Sequence, residues 1–319
     1  MKKILCVLMS CLLFVMAGCS GHSKNLKFGA ADIVGVYYSF ASTFTQLADK
    51  EIDGYTFETK TTAGSVANLR LISDGYIDLA IAQADLLSDA YNATGTFADK
   101  KYQKGYKAVA SLYTECCQIV VRKDSGITGI DDLINKTVSV GASESGSEKN
   151  AEQILKMSGI TDELINKVNM DYTEAAEKLK AGEIDAFFCT AGTRTEVIGQ
   201  LSKECDICLI SLDDKCIDKM LSAYSLCEKY TIPAGTYNGQ DSDVTTIGVK
   251  AVLIAKQSLS DDVIKNVTKT IYEHADDFKY ATSLDISFDI NTAADGVDIP
   301  FHSGAAAYYT ERGINVLTE

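Results

Sequence analysis

The chain has 319 residues, 46% of them hydrophobic and 8% aromatic, enough for two ordinary domains or lobes with buried cores. Its 44 acidic residues against 30 basic ones give a formal net charge of −14. Such a field repels nucleic acid, gives no general attraction to anionic lipid, and requires any anionic ligand to be held by a local site.

From the N-terminus, Lys2 and Lys3 precede an almost wholly apolar run, 4–17, with the length of a secretory signal core and short of a membrane span. The run ends in Val15-Met16-Ala17-Gly18-Cys19-Ser20, which resembles the bacterial lipobox, with Met16 where leucine is common. That resemblance implies a lipoprotein signal peptide over 1–18, a diacylated Cys19 and a lipidated tether over 19–25, so that the protein is extracytoplasmic and anchored to the cell membrane. The competing reading is an ordinary secretory signal in which Cys19 is incidental.

Short β-rich runs then alternate with helical stretches, the pattern of α/β lobes. The strand-like runs are 26–30, 55–61, 78–82, 108–112, 137–141, 186–189 and 207–212. The longest helical stripe, Val263, Val267, Ile271, Ala275 and Phe278, predicts one helix from Ser260 to about Phe278. One internal echo stands out: Gly75-Tyr76-Ile77-Asp78-Leu79-Ala80 returns as Gly182-Glu183-Ile184-Asp185-Ala186-Phe187. Each copy predicts a helix ending at a left-handed glycine, then a buried strand whose carboxyl end carries a small polar loop. Two such units far apart suggest two lobes of related topology, with ligands at the strand ends. So short a match also arises by chance.

Two segments combine glycine and hydroxyl residues where a strand turns into a helix: Thr61-Thr62-Ala63-Gly64-Ser65-Val66-Ala67-Asn68 and Gly141-Ala142-Ser143-Glu144-Ser145-Gly146-Ser147-Glu148. A turn of this kind offers backbone N–H groups and the positive end of a helix dipole, and so holds a carboxylate or phosphate without a basic side chain. Helix capping alone is the competing reading, since Ser145 to Glu148 also has the pattern of a capping box.

Of the ten cysteines, Cys6 and Cys11 lie in the signal segment and Cys19 at the lipid site, leaving seven. Cys205, Cys208 and Cys216 read as structural thiols, with a disulfide or metal site as the weaker alternatives. The three histidines, His22, His274 and His302, are scattered, so no His-based metal or catalytic site is expected. No nucleophile elbow, phosphate-binding loop or zinc-protease motif occurs, and Cys189 has no nearby histidine base.

A wider resemblance is carried by Gly35-Val36-Tyr37-Tyr38, Ala63-Gly64-Ser65-Val66-Ala67-Asn68-Leu69-Arg70, Gln83-Ala84-Asp85 and Asp89-Ala90-Tyr91-Asn92-Ala93-Thr94-Gly95. Further motifs are Ser111-Leu112-Tyr113, Gln118-Ile119-Val120-Val121-Arg122, Ser139-Val140-Gly141-Ala142, Asp185-Ala186-Phe187-Phe188, Ala191-Gly192 and Thr231-Ile232-Pro233-Ala234-Gly235-Thr236-Tyr237. In this order and spacing they resemble the TAXI family of TRAP-transporter solute receptors, from about Leu26 to Gly313. The chain departs from that family at Ala30-Ala31-Asp32-Ile33-Val34, where a glycine-rich loop is common, and at Ser39, where proline is common.

The resemblance implies an α/β, two-lobed periplasmic binding protein of type II topology with a ligand cleft between the lobes. Lobe one is then 26–113 with 255–319, lobe two 114–254, with crossings near Leu112-Tyr113 and Val252-Leu253-Ile254. It implies no enzyme activity and no cofactor. The implied ligand is a small carboxylate, of the glutamate, glutamine or 2-oxoacid class, passed to a TRAP membrane permease; a sensory or interaction lipoprotein on the same fold is the alternative. By position in the motifs, the expected ligand contacts are Tyr38, Gly64, Ser65, Asn68, Gln83, Ser143, Gly146, Ser147, Glu148, Thr190 and Gly192.

Overall fold

The computed structural model describes residues 23–99, 102, 105–283 and 288–319. The expected signal peptide and Cys19 lie outside the described residues. Lys24 and Asn25, expected in the tether, instead open strand β1 (Lys24–Gly29), where they pair with Tyr55 and Thr56.

β1 runs parallel to β2 (Tyr55–Lys60) and β3 (Leu79–Gln83), joined by helices α1 (Val36–Glu51) and α2 (Ser65–Ser73); α3 (Ala84–Asn92) follows β3 directly. All of β3 is buried, as a strand covered on both faces should be. A second parallel group holds β5 (Thr137–Ser139), β6 (Asn166–Val168) and β7 (Ala186–Ala191), joined by α4 (Gly146–Met157) and α5 (Tyr172–Ala181). Two long antiparallel strands link the groups, β4 (Tyr106–Arg122) and β10 (Val244–Lys256). The order is β2-β1-β3-β10-β4-β7-β5-β6, with β8 (Ile207–Leu209) on β4 and β9 (Cys227–Ile232) on β10. The run expected as 108–112 is thus the middle of a strand of 17 residues.

The echo in the sequence corresponds to equivalent structure. Gly75 and Gly182 both follow helices with positive φ, 82° and 75°. Asp78 accepts the Lys27 N–H on its carboxylate at 2.9 Å and donates its own N–H to the Lys27 carbonyl. Asp185 repeats both bonds with Thr137, its carboxylate accepting at 2.8 Å. Each aspartate fastens the parent strand to its parallel neighbour.

Two cores result. The first draws on residues 26–113 and 249–309 and is built on Phe28, Phe40, Phe44 and Phe278, with the Phe40 and Phe278 rings stacked at 4.5 Å. The second side is filled by residues 117–247, around Ile154, Phe188, Ile217 and Met220 and around Leu179, Phe187 and Ile198. β-bulges interrupt the β4–β10 register between Ala251 and Val252 and between Leu253 and Ile254. Such irregularities bend and twist a ladder, and here they fall within the first core, next to the stretch around Glu115 and Val249 where both strands pass to the second side.

The single helix expected to 278 is two: α8 (Asp261–Glu273) and α9 (Ala275–Thr282), with α6 (Glu196–Glu204) and α7 (Asp214–Ala223) preceding and α10 (Ser303–Thr310) following. His274 ends one and begins the other at φ −115°, ψ 29°. Its Nε2 meets Glu51 at 2.6 Å and its Nδ1 meets Asp277 at 2.9 Å, which holds the break. Among the described residues no helix is long and apolar enough to cross a membrane.

Candidate ligand-binding site

A cavity lies between the two sides, lined by Gly35, Val36 and Tyr37 of the α1 start, by Gly64 and Ser65, by Gln83, by Ser145, Gly146 and Ser147, and by Asp171 and Tyr172. Glu115, Thr190, Ala191, Ala31, Asp32, Ala63 and Ala142 complete the wall. The residues from Gly35 to Tyr172 named first are the opening positions of α1, α2, α3, α4 and α5, so five helix N-termini converge on one space. Each helix start carries about half a positive charge and N–H groups without intrahelical partners. Among the described residues, the Ala67 N–H goes to the Glu144 carbonyl at 3.1 Å and the Glu148 N–H to Ser145 Oγ at 3.0 Å, whereas those of Ser65, Gly146 and Ser147 have no protein acceptor. Among the described residues no lysine or arginine lines the wall. The open space is small, about 50 Å³ for the centres of water-sized groups, room for a few waters between the two sides as they stand.

The two sides touch across this space. Arg70 of α2 makes a two-pronged ion pair with Glu144, at 3.1 and 2.7 Å. Gln83 Nε2 donates to Asn150 Oδ1 at 3.0 Å, and Gln153 reaches Asp85 at 3.5 Å. Gly64 lies at φ +123°, in the region that favours glycine, and a Cβ there would meet Ser145 at 3.5 Å. A Cβ on Gly146 would fall 2.3 Å from Gln83 Oε1, so only glycine lets the two helix starts close this far.

The expected contact residues divide. Gly64, Ser65, Gln83, Gly146, Ser147 and Thr190 are in the wall. Tyr38 is not: it packs against the first core, and its neighbour Tyr37 faces the cavity. Ser143 is exposed, and Ser145 holds the place in the wall. Asn68 is fully buried behind the wall, its amide donating to the carbonyls of Gly29, Ala30 and Ile81 and its oxygen accepting from Thr62, so it ties the carboxyl ends of β1 and β3 together. Glu148 accepts the Glu144 N–H and the Asn169 amide, which fixes the loop before α4. Gly192 lies outside the wall, its carbonyl taken by the Thr195 hydroxyl. Ser147 is in the wall, but its hydroxyl is occupied. Tyr172 donates its proton to the Thr190 carbonyl at 2.9 Å, so Ser147 donates to Tyr172 and accepts the Thr190 N–H at 2.8 Å.

Sequence reading missed Tyr37, Glu115 and Tyr172. Glu115 is 3% exposed, and its carboxylate accepts the Tyr37 hydroxyl at 2.8 Å. Burial pushes its carboxyl up to about 8. Burial likewise raises the Tyr37 and Tyr172 hydroxyls well above the usual tyrosine range, and Asp85, behind Gln83, rises to about 6. Among the described residues no cluster of His, Cys, Asp and Glu is placed to hold a metal ion, and the seven described cysteines are free thiols.

Residues 28–313 match the NMT1-like family. The chain belongs to that family. Solved structures agree with it on the fold. The NMT1-like chain superposes on PhnD1 from Prochlorococcus marinus, solved with methylphosphonate, at a TM-score of 0.58 and 12% identity over 83% of this chain and 93% of that one. It matches a periplasmic transporter at 0.55 and 14% identity, over 81% and 86% of the two chains. An ancestral arginine-binding protein bound to arginine gives 0.50 and 16%, over 82% and 98%. The fold is therefore the mixed α/β, two-lobed periplasmic-binding-protein fold of type II, the fold of transporter-associated solute-binding proteins.

Proposed function

We propose that this NMT1-like protein is an extracytoplasmic solute receptor of the TAXI type, tethered through Cys19. It captures a small carboxylate of the glutamate, glutamine or 2-oxoacid class between its lobes and delivers it to a TRAP permease without altering it. The observation that carries this reading is the convergence of five helix N-termini on a cavity with no lysine or arginine among the described residues of its wall. Oriented N–H groups and helix dipoles can hold an anion inside a strongly acidic protein because they act at short range, where the overall field of −14 is a weak background. Structural relatives bind small charged molecules, methylphosphonate and arginine among them.

Thermal unfolding against a panel of small carboxylates tests the reading. A ligand at 100 times its Kd adds about 2.7 kcal/mol, so at least one member should raise the midpoint by several degrees; no shift across the panel contradicts the proposal. Anchoring is tested separately: palmitate labelling should be lost in Cys19→Ser, and labelling that persists removes the tether from the account.

A further inference from the structure

We propose that Glu115 receives a protonated amine of the ligand, so that the cavity takes an α-amino acid and rejects the 2-oxoacid of the same skeleton. The inference rests on the reading of the cavity as a carboxylate receptor. Glu115 sits in β4 where that strand passes between the cores, and it opens on the cavity. Buried carboxylates are ordinarily paired with a cation, yet among the described residues Glu115 makes no ion pair. The groups that face it are Tyr37 from α1, Gln83 and Asp85 from the β3–α3 junction, Tyr113 from its own strand, Tyr172 from α5, and the thiols of Cys116 and Cys189. All are neutral or acidic.

The surrounding polar atoms ask for a donor. Gln83 Nε2 donates to Asn150, which fixes the amide so that Oε1 is the free end, and this buried oxygen has no donor. Thr190 Oγ1, also in the wall and 5% exposed, lies beside the Cys117 thiol across the β4–β7 pair and keeps lone pairs for a further donor. An ammonium group brings three donors and no acceptor, which suits Glu115, Gln83 Oε1 and Thr190 Oγ1. A 2-oxo group brings only lone pairs: it can accept from the Thr190 hydroxyl or a protonated Glu115, but it leaves Gln83 Oε1 without a donor. The wall is thus divided: helix starts at Ser65, Gly146 and Ser147 for a carboxylate, and a carboxylate of the protein for the amine.

The pairing has a proton balance. With a value of about 8, Glu115 is mostly protonated at neutral pH before the ligand arrives. Binding an ammonium expels that proton to solvent while the amine keeps its own. The ionised fraction of a group with this value rises about fiftyfold between pH 6 and pH 8, so affinity should rise with it. A 2-oxoacid that used the protonated carboxyl as a donor would show the opposite sign.

The test is titration calorimetry of the purified protein with matched pairs, L-glutamate against 2-oxoglutarate and L-alanine against pyruvate. In at least one pair the amino acid should bind at least tenfold more tightly. Its affinity should rise by tens of fold from pH 6 to pH 8, with proton release seen in buffers of different ionisation enthalpy. Glu115→Gln should abolish the preference and flatten the pH dependence. A 2-oxoacid that binds equally or better, or an amino-acid affinity flat or falling with pH, overturns the inference and leaves a carboxylate receptor standing. Absence of binding by either pair, together with no thermal shift from any carboxylate, overturns both. If Glu115→Gln does not fold, the wild-type pairs and pH series decide alone.

Discussion

Burying Glu115 also affects stability. A glutamate in an unfolded chain titrates near about 4.3, whereas in the folded protein Glu115 holds its proton up to about 8. Between those values the native state binds the extra proton, so stability falls as pH rises through this window and levels off above it. Glu115→Gln keeps the shape and removes the titration. The variant should therefore gain stability relative to wild type as pH goes from 5 to 8, measured by urea unfolding at both; a constant difference contradicts the burial argument. In the sequence Glu115 was a lone acid in the apolar run Leu112-Tyr113-Thr114-Glu115-Cys116-Cys117. Its direction depends on pairing with β10 more than 130 residues later, with Glu115 opposite Val249, which no local pattern specifies. Tyr37 was more legible. Tyr37, Phe40, Ala41, Phe44 and Ala48 form the buried stripe of α1 at helical spacing, and Tyr38 is rotated off it.

At the scale of elements, the two glycine–hydroxyl turns were found because capping and anion binding need the same residues. In α4 the cap is seen directly, and anion binding is the role proposed for the same turn. Ser145 caps the helix through the Glu148 N–H, but Glu148 reaches back to the Glu144 N–H, one residue earlier than a capping box requires. The Ser145 N–H goes to the Ala142 carbonyl instead. Ser145→Ala should cost about 1 kcal/mol of stability, as lost N-caps do, and should weaken ligand binding because α4 opens on the cavity. Denaturant unfolding and calorimetry check it; unchanged stability would show that the cap bond is not held in solution. The 260–278 stripe misled because its apolar spacing continues through His274, while the break depends on Glu51, a residue of another helix.

For the whole molecule, alternation of strands and helices was enough to indicate two α/β lobes, and the Gly-x-Ile-Asp echo identified the equivalent junctions at Asp78 and Asp185. What the alternation could not give was the continuity of β4 and β10, since β-rich runs broken by Ser111, Thr114 and Glu115 look like separate short strands. We propose that the lobes close about β4 and β10 as a hinge, with the Arg70–Glu144 ion pair as a contact of the closed form. Small-angle scattering should show a smaller radius of gyration with ligand than without. Gly146→Ala, whose Cβ meets Gln83, should stay folded but keep the larger radius and bind more weakly. Equal radii in wild type with and without ligand would remove the hinge.

The central claim is that a carboxylate sits where the helix starts converge. A crystal structure grown with the carboxylate that gives the largest thermal shift tests it most directly. The account predicts the ligand between the lobes, with carboxylate oxygens at about 3 Å, ordinary hydrogen-bond range, from the N–H groups of Ser65, Gly146 or Ser147. A ligand held elsewhere, or a carboxylate clamped by an arginine with those N–H groups turned away, would contradict it.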